Sequence, residues 1–369
     1  MANDDTVQLK TLILDTVPDP PALEDGDEAK LFKSLPVKPR GDRYKFIRTI
    51  GFGGMKAVLL VEDRDTGREI AMALIPDYRD RPHRDLERFV SEARINAMLE
   101  HPNIVPVHDI GKDASGAPYF TMKYLRGKML EKVIKLLREG DAATTARYTL
   151  FRRLQIFIRV CNAIDFAHSH GVCHLDIKPS NINLGDHGEV VVLDWGLARM
   201  LDENGRAKLD DRRPKGTPGY IAPEYLNPAS AGQVGIRSDI YSLGALLYAM
   251  LTLEAPLAGR SVEEILRHTA AGDVPRPSLA APGRDIPASL EAVCMKAMAR
   301  KPEGRYNSVT ELRDEITAYI AGFSTRAEHA GPVRQLLLFA GRNRMALLLL
   351  LAALLVTLLV ALLIWALFD

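Results

Sequence analysis

The stretch from His174 to Gly196, HLDIKPSNINLGDHGEVVVLDWG, constrains this chain more than any other part of it. Its pattern predicts a hairpin, and the two limbs carry two carboxylates, one ammonium and one carboxamide: Asp176, Lys178, Asn181 and Asp194. Phosphoryl transfer needs such a set, because its chemistry is mostly positioning and charge neutralisation around a metal-bound triphosphate. One carboxylate would orient a hydroxyl group, and the other oxygen donors would hold Mg²⁺.

The order of these residues, H-x-D-x-K-P-x-N followed by D-x-G, resembles the catalytic and metal-binding loops of protein kinases. The resemblance implies that Asp176 accepts or orients the proton of a substrate hydroxyl, and that Lys178 neutralises charge on the transferring phosphoryl group. It implies ATP as cofactor, and Asn181 and Asp194 as ligands of Mg²⁺, for which Mn²⁺ is a substitute. Trp195 stands where kinases usually have phenylalanine, and it keeps a large apolar ring there.

From Tyr44 the sequence predicts two strands joined by a glycine-rich bend, and a third strand after the turn Asp65 to Arg68. Glycine lets the backbone approach phosphates closely, because no side chain intervenes. The bend resembles the kinase loop that covers ATP, which implies a nucleotide site at Ile50, Gly51, Gly53, Gly54, Lys56, Val58 and Ala71. Two positions depart from that pattern: Lys56 replaces its third glycine, and Ala73 replaces its strand-three lysine.

Strand geometry connects these two departures. Side chains two residues apart on a strand point to the same face, so Lys56 should face the cleft with Val58, and Ala73 should do so with Ala71. An ammonium missing from strand three could then be replaced by one reaching across from strand two. This arrangement resembles the with-no-lysine kinases, which pair a lysine at the third-glycine position with a non-lysine on strand three. The alternative is a solvent-exposed loop lysine beside an inactive site.

The segment after strand three has apolar residues at helical spacing, at Phe89, Ile95 and Leu99, with Glu92 one turn from two of them. It resembles the kinase helix αC. Glu92 then corresponds to the glutamate that orients the phosphate-contacting lysine, and an exposed helical glutamate is the alternative.

Alignment with kinases also implies the adenine contacts. Met122 falls at the gatekeeper position, and Lys123 to Leu125 form a hinge whose backbone would carry the adenine hydrogen bonds. Asn183 falls on the floor of the adenine pocket, where an apolar side chain is usual. We therefore expect Asn183 either to weaken ATP binding or to have a polar partner.

The sequence Gly-Thr-Pro-Gly-Tyr-Ile-Ala-Pro-Glu at residues 216–224 matches the end of a kinase activation segment. Thr217 corresponds to the threonine that braces Asp176 and Lys178 in Ser/Thr kinases. Lys178 itself points to Ser/Thr rather than Tyr specificity.

Two later positions complete the resemblance. Asp239 is placed like the buried aspartate that holds the catalytic-loop backbone, and Arg305 like the arginine that pairs with Glu224. The motifs cover roughly Tyr44 to Ala321 and are most similar to bacterial Ser/Thr kinases of eukaryotic type. The implied fold is α+β and bilobal, with a small β-rich N-lobe and a larger helical C-lobe.

Composition limits the remaining possibilities. The formal net charge of +1 offers no electrostatic case for nucleic-acid binding. Cys161, Cys173 and Cys294 are predicted to be reduced core residues of a cytoplasmic domain. Residues 1–43, rich in acidic residues and prolines, are predicted to be a disordered leader. For its apolar run Leu12 to Leu14, a solvated tail is favoured over docking on a partner or on the kinase itself.

The C-terminal end predicts a membrane anchor. Residues 322–344 form a linker containing Arg326, Arg334, Arg342 and Arg344, and residues 345–368 carry no charge. At about 1.5 Å per residue this helix reaches ~36 Å, enough to cross a hydrocarbon core of ~30 Å. Because the arginines flank only its N-terminal side, a single transmembrane helix would leave the kinase in the cytoplasm. The lipid bilayer is therefore an expected partner, and the helix could also mediate homo- or hetero-association.

Two functions remain open on the sequence. The first is a membrane-anchored Ser/Thr protein kinase acting on protein substrates, with its ATP-contacting lysine relocated to Lys56. The second is a catalytically impaired pseudokinase that serves as a membrane-tethered, nucleotide-binding scaffold. The presence of Glu92, Asp176, Lys178, Asn181 and Asp194 favours the first.

Overall fold

A computed structural model describes residues 12–13, 43–52, 56–113, 115–209, 214–227 and 230–368 of the chain. For residues 12–13, 231, 346 and 363–368 it describes the backbone only. Nearly all of the predicted leader, and Gly53 and Gly54 of the glycine-rich bend, lie outside the described residues.

Strands occur as far as Gly216, and from Pro223 onward the described elements are helical. The strands are β1 (Leu12–Ile13), β2 (Tyr44–Phe52), β3 (Ala57–Asp63), β4 (Arg68–Leu74), β5 (Val107–Lys112), β6 (Pro118–Lys123), β7 (Lys128–Met129), β8 (Val172–Cys173), β9 (Ile182–Leu184), β10 (Val190–Val192), β11 (Arg199–Met200) and β12 (Lys215–Gly216). The helices are α1 (His83–Met98), α2 (Leu130–Arg138), α3 (Ala142–Arg147), α4 (Leu150–Ser169), α5 (Pro223–Leu226), α6 (Ile236–Thr252), α7 (Val262–Ala271), α8 (Pro277–Ala280), α9 (Ala288–Ala297), α10 (Val309–Ile320), α11 (Pro332–Arg342) and α12 (Arg344–Phe368). Short 3₁₀ turns occur at Tyr78–Asp80, Pro179–Asn181, Ala231–Gln233 and Pro302–Gly304.

The N-lobe is a five-stranded antiparallel sheet of order β2-β3-β4-β6-β5, with helix α1 packed on one face. The period of two along β4 separates its side chains between the faces. Met72 packs with Tyr44 and Tyr119 on one face, whereas Ala73 packs with Phe89 of α1 on the other. The predicted three strands and the following helix are therefore present, and Ala73 points toward α1.

The C-lobe is helical, and its core forms around α4 and α6. Helix α6 is buried from Ser238 to Thr252 on every face, as its apolar sequence requires. Helix α4 begins at the N-cap Thr149, whose hydroxyl accepts a hydrogen bond from the Arg152 amide. The two lobes confirm the predicted bilobal fold, and all three cysteines are buried and free, as predicted.

The hairpin that carries the candidate site lies where the lobes meet. Strands β9 and β10 pair antiparallel, with Asn183 opposite Val191, so the predicted hairpin is confirmed. Strand β7, which follows the N-lobe sheet in the chain, adds to this hairpin by pairing with β9. The pairing ties the connection between the lobes to the catalytic segment.

The leader contacts the kinase fold at one described point. Leu12 pairs with Gly216 and Ile13 with Lys215, which forms the two-stranded antiparallel sheet β1-β12. The favoured prediction of a solvated tail is therefore wrong for Leu12 and Ile13, because their backbone pairs with the kinase itself.

The C-terminal region contains two consecutive helices, α11 and α12. Within the residues whose side chains are described, no single helix is both long and apolar enough to cross a membrane. Pro332–Arg342 and Leu347–Leu362 meet that criterion only as a pair, and they are bent by 85° relative to each other.

Candidate active site

A buried aspartate holds the backbone of the loop that follows β8. Asp239 of α6 accepts hydrogen bonds from the amides of His174 and Leu175, both at 2.8 Å, and it lies 2.8 Å from His168 Nε2. Burial opposes ionisation, but the His168 hydrogen bond and the nearby His174 outweigh it, so the pKa of Asp239 is lowered. Leu175 has a φ of 63°, a strained conformation for a leucine, and these bonds hold it there. The predicted role of Asp239 is confirmed.

Three polar side chains close around Asp176 at the base of the cleft. Thr217 Oγ donates to Asp176 Oδ1 at 2.9 Å, and Lys178 Nζ lies 2.8 Å from Asp176 Oδ2. Lys178 Nζ also donates to Thr217 Oγ at 2.7 Å, which closes a ring of three contacts. Asn181 Nδ2 donates to the Asp176 carbonyl at 2.9 Å. Burial raises the pKa of Asp176, and the Lys178 ammonium opposes that rise.

The second cluster joins three elements of the two lobes. Lys56, just before β3, donates from Nζ to Glu92 of α1, and to Asp194 Oδ1 at 2.8 Å. Burial lowers the pKa of Lys56, but the Asp194 and Glu92 carboxylates raise it by more than burial lowers it. The net shift of the Lys56 pKa is therefore upward. The Lys56 ammonium lowers the pKa of Asp194 to about 2, whereas burial raises that of Glu92. The ammonium is thus fully charged and lies between two carboxylates.

These two clusters contain oxygen donors that fit Mg²⁺. Because Asn181 uses its Nδ2 toward Asp176, its amide oxygen is oriented away from that residue. A Cβ on Gly196 would lie 3.1 Å from Glu92 Oε2 and 3.4 Å from Asp194 Oδ1, so only glycine leaves this cradle open. Carboxylate and amide oxygens are the ligands that Mg²⁺ prefers.

Several of the expected nucleotide residues are neighbours in the N-lobe sheet. Gly51 pairs with Val58, Val58 with Ala73, and Ala71 with Met122. The remaining members follow these pairs in the chain, with Ile50 in β2, Lys123 at the end of β6 and Leu125 two residues beyond.

Asn183 lies in β9, at 6% exposure. Its Nδ2 has only a weak acceptor, Met129 Sδ at 3.9 Å. Its Oδ1 has no hydrogen-bond partner among the described residues. Among the described residues, this sulfur is therefore the one polar partner found for the Asn183 side chain.

Some residues of the site had no signal in the sequence. Ser238 donates to Glu224 Oε1 at 2.6 Å, and His168 contacts Asp239 from 71 residues away. Arg305, in contrast, was predicted, and it donates to Glu224 through two bonds of 2.9 and 2.8 Å. Ser238 and His168 lie in runs whose helical period is explained by packing alone, so only the fold identifies them.

A β-rich lobe with a single packed helix, a helical lobe, and a catalytic loop held from α6 define a protein kinase domain. The family described as Protein kinase domain matches residues 44–315, and the chain belongs to this family. Members of the family use ATP and Mg²⁺, which the oxygen donors above fit.

Several relatives carry the name Serine/threonine-protein kinase PknD. The protein from Protochlamydia amoebophila (strain UWE25) is 34% identical over 312 residues, covering 79% of this chain and 31% of the relative. The protein from Chlamydia felis (strain Fe/C-56) is 37% identical over 299 residues, covering 76% and 31%. The protein from Chlamydia trachomatis serovar D is 35% identical over 304 residues, covering 76% and 32%. The chain thus spans about a third of the length of these relatives.

Proposed function

We propose that this chain is a serine/threonine protein kinase that transfers the γ-phosphate of ATP to Ser or Thr side chains of proteins. The observation that carries the proposal is the closed ring of contacts among Asp176, Lys178 and Thr217. Each of the three is more than nine-tenths buried, so the ring is preorganised. The names of the relatives support the same activity.

Each residue of the ring has a separate role in the proposed reaction. Bound MgATP would supply the γ-phosphoryl group and leave as ADP, and its Mg²⁺ would neutralise part of the phosphate charge. Asp176 accepts a hydrogen bond from the substrate hydroxyl and takes its proton, while Lys178 stabilises negative charge on the transferred group. Thr217 fixes both side chains, because it donates to the carboxylate and accepts from the ammonium. Asn181 and Asp194 supply the oxygen atoms for Mg²⁺.

We further propose that Lys56 contacts the α- and β-phosphates in place of the missing strand-three lysine. Its ammonium lies beside Glu92 and Asp194, the position that this role requires. Ala73, opposite Val58 on β4, offers no charge. This is the placement that resembles the with-no-lysine kinases.

The adenine ring is proposed to lie among apolar side chains and the hinge backbone. The residues assigned to it are Ile50, Val58, Ala71, Met122, Lys123, Leu125 and Asn183. Gly51, Gly53 and Gly54 would allow the phosphates close to the backbone.

A nucleotide-binding scaffold without transfer is the second candidate. The observation that favours impaired transfer is Asn183 Oδ1, which falls at the proposed floor of the adenine pocket and has no hydrogen-bond partner among the described residues. A buried acceptor facing a ring would weaken nucleotide binding unless the ring donates to it.

One assay separates the two candidates. The full chain in detergent is incubated with Mg²⁺, labelled ATP and a generic protein substrate, beside an Asp176→Asn variant. We expect incorporation into Ser or Thr that falls by about 10²- to 10⁴-fold in the variant, the usual contribution of a general base. If the wild-type chain incorporated no more phosphate than Asp176→Asn, the nucleotide-binding scaffold would be the supported function.

We also propose that residues 345–368 anchor the chain in a lipid bilayer, with the kinase domain in the cytoplasm. Leu349, Leu351 and Leu355 of α12 are 67%, 61% and 61% exposed, which is unfavourable for apolar side chains in water. Carbonate-resistant membrane association is expected for the full chain, and it should vanish when the chain stops at Gly341. A truncated chain that stayed in the membrane fraction would contradict this anchor.

A further inference from the structure

Helix α11, which follows the kinase domain, has an apolar side and a polar side. With 3.6 residues per turn, its apolar side is formed by Val333, Leu336, Leu337 and Ala340. The opposite side carries Arg334, Leu338 and Arg342, which are spaced four residues apart. The two sides of this helix therefore suit two different surroundings.

The polar side of α11 faces the kinase domain. Arg342 Nη1 donates to the carbonyl of Gly322 at 2.8 Å, just beyond the end of α10. The Arg342 guanidinium also lies over the ring of Phe323, 4.0 Å from its centroid. Leu338, one turn before Arg342 on the same side, is half-buried. These contacts hold α11 against the end of the C-lobe.

The apolar side of α11 faces away from the domain. Val333, Leu336 and Leu337 are 72%, 67% and 62% exposed, so no described part of the chain covers this side. Phe339, at its edge, is also exposed. A contiguous exposed apolar surface of this kind marks contact with a membrane or with another protein.

A single residue, Asn343, joins α11 to α12. The backbone amide and Nδ2 of Asn343 both donate to the Phe339 carbonyl, at 3.0 and 2.9 Å, and its own carbonyl accepts from the Leu347 amide at 2.9 Å. Hydrogen bonds from both helices thus meet at this residue. The bend of 85° between Pro332–Arg342 and Leu347–Leu362 is therefore a hydrogen-bonded joint.

Charge and area favour a membrane over a protein as the partner of the apolar side. Residues 330–368 contain no Asp or Glu, whereas Arg334, Arg342 and Arg344 supply positive charge that attracts anionic lipid headgroups. A stable protein interface buries about 1,600 Å² in total, and one side of an 11-residue helix provides only a small part of that area.

We propose that α11 lies in the plane of a lipid bilayer surface, with Val333, Leu336 and Leu337 at the boundary between headgroups and acyl chains. The inference rests on the proposed anchoring of residues 345–368. If α12 runs along the membrane normal, the 85° bend places α11 nearly parallel to the surface. Helices of this kind bury their apolar face by roughly 5–10 Å. The contact of Arg342 with Gly322 then places the end of the C-lobe beside the bilayer.

Spin labels on single introduced cysteines test this orientation. The full chain is reconstituted in vesicles of phosphatidylcholine and phosphatidylglycerol. The labelled positions on the apolar side are Val333→Cys, Leu336→Cys and Leu337→Cys. Matched exposed positions on the other side are Arg334→Cys and Gln335→Cys. The native cysteines are buried, which raises the pKa of each thiol, so the unsubstituted chain should take up no label.

The readout is the accessibility of each label to oxygen, which concentrates in the bilayer, relative to a nickel chelate that stays in water. We expect this ratio to be high at positions 333, 336 and 337 and low at 334 and 335, following the 3.6-residue period. A high ratio at all five positions would mean that α11 is inside the bilayer, which would overturn the proposal. Broadening between labels that disappears on dilution with unlabelled chain would also overturn it, because a second copy would then cover the apolar side.

A label in α12 reports on the proposed anchor separately. Leu355→Cys should show a high ratio if residues 345–368 are in the bilayer. A high ratio at Leu355→Cys with low ratios at all five positions of α11 would overturn the in-plane helix and leave the anchor standing. A low ratio at Leu355→Cys as well would overturn both. The readout requires neither ATP nor transfer, so it does not depend on the proposed kinase activity.

Discussion

Two ion-paired clusters join distant parts of this fold, and they differ in how completely their charges are balanced. Arg305 and Glu224 form two parallel bonds, and their side chains are 0% and 2% exposed. Lys56, by contrast, serves two carboxylates at once, Glu92 and Asp194. Asp194 is 41% exposed, so this second cluster is open to solvent.

The different charge balance of the two clusters suggests different roles, one in stability and the other in catalysis. Arg305 also donates to three backbone carbonyls, so every charge of the closed cluster is satisfied within the protein. Burying an ion pair removes both charges from water, and this desolvation costs more free energy than their attraction provides. A buried pair is therefore stable only when further hydrogen bonds satisfy both charged groups. The open cluster has one more carboxylate than ammonium groups, and the surplus negative charge suits a metal ion. We therefore expect the closed cluster to control unfolding and the open cluster to control catalysis.

The largest expected effect breaks the closed cluster. Glu224→Ala would leave the Arg305 charge buried without its carboxylate, which should lower the free energy of unfolding by about 3–5 kcal/mol. Urea unfolding of the full chain in detergent measures this. Glu303→Ala removes an exposed glutamate close to Arg305 in the chain and should change the unfolding free energy by less than ~0.5 kcal/mol. Equal stability of the two variants would contradict the assignment of this cluster to stability.

The next effect concerns the open cluster. Lys56→Met should lower kcat/KM for ATP by about thirtyfold to thousandfold, which corresponds to ~2–4 kcal/mol of transition-state stabilisation. The loss arises because the triphosphate is no longer aligned for in-line transfer. Lys45→Met, which removes an exposed lysine paired with Glu62, should leave kcat/KM unchanged. Near-normal kcat/KM of the Lys56→Met variant would contradict the proposal that Lys56 contacts the phosphates of ATP.

Moving the lysine back sharpens the same comparison. Lys56→Gly with Ala73→Lys should recover part of the activity, because the new ammonium would approach the same phosphates beside Glu92. Ala73→Lys alone should be neutral or harmful, since two ammonium groups would repel in one site. Ala73 is 0% exposed and packs with Phe89 and Phe120, so the longer side chain also adds crowding. This packing is a reason to expect partial rather than full recovery.

The sequence predicted the parts of this fold that local patterns encode. The β9-β10 hairpin follows from two short apolar runs around a turn, and the strands β2 to β4 follow from alternation and glycine. The Arg305–Glu224 pair came from family resemblance rather than from any local pattern. The orientation of Lys56 toward the cleft came from strand parity, and the role of Glu92 came from family resemblance. The structure has these two groups in contact.

Other features could not be predicted, because they depend on contacts that no periodic pattern records. The pairing of Leu12 with Gly216 joins residues 204 positions apart in the chain. The Trp195 indole has no acceptor among the described residues, and this depends on which groups surround it, whereas a sequence gives only its apolar ring. The 85° bend between the last two helices is likewise a tertiary property.

A smaller effect should appear in the acid stability of the open cluster. The Lys56 ammonium lowers the pKa of Asp194 from 3.8 to about 2. A carboxylate with a depressed folded-state pKa stabilises the protein above its unfolded value, and this contribution is lost as the pH falls through the folded value. The difference in unfolding free energy between wild type and Asp194→Asn should therefore shrink between pH 4 and pH 2. A difference that stayed constant over this interval would mean that Asp194 is not paired with Lys56 in solution.

The smallest effect is expected from removing phosphate in the segment after Asp194. Residues 194–216 contain no Ser, Thr or Tyr, and Leu175 stands where regulated kinases have an arginine that receives the phosphate of this segment. Leu175 is 5% exposed and packs with Ile221 and Tyr225, so an apolar contact replaces that charge. With neither acceptor nor receiver, the usual charge-pairing switch cannot operate in this segment.

Phosphatase treatment should accordingly leave the kinase activity of the full chain unchanged at saturating ATP, with mass spectrometry of the 194–216 peptide as the companion measurement. Thr217 lies just beyond this segment, and its hydroxyl is already engaged by Asp176 and Lys178. A phosphate there would separate those two side chains, so phosphorylated Thr217 should lower activity rather than raise it. Activity that disappeared together with a phosphate on residues 194–216 would contradict this view.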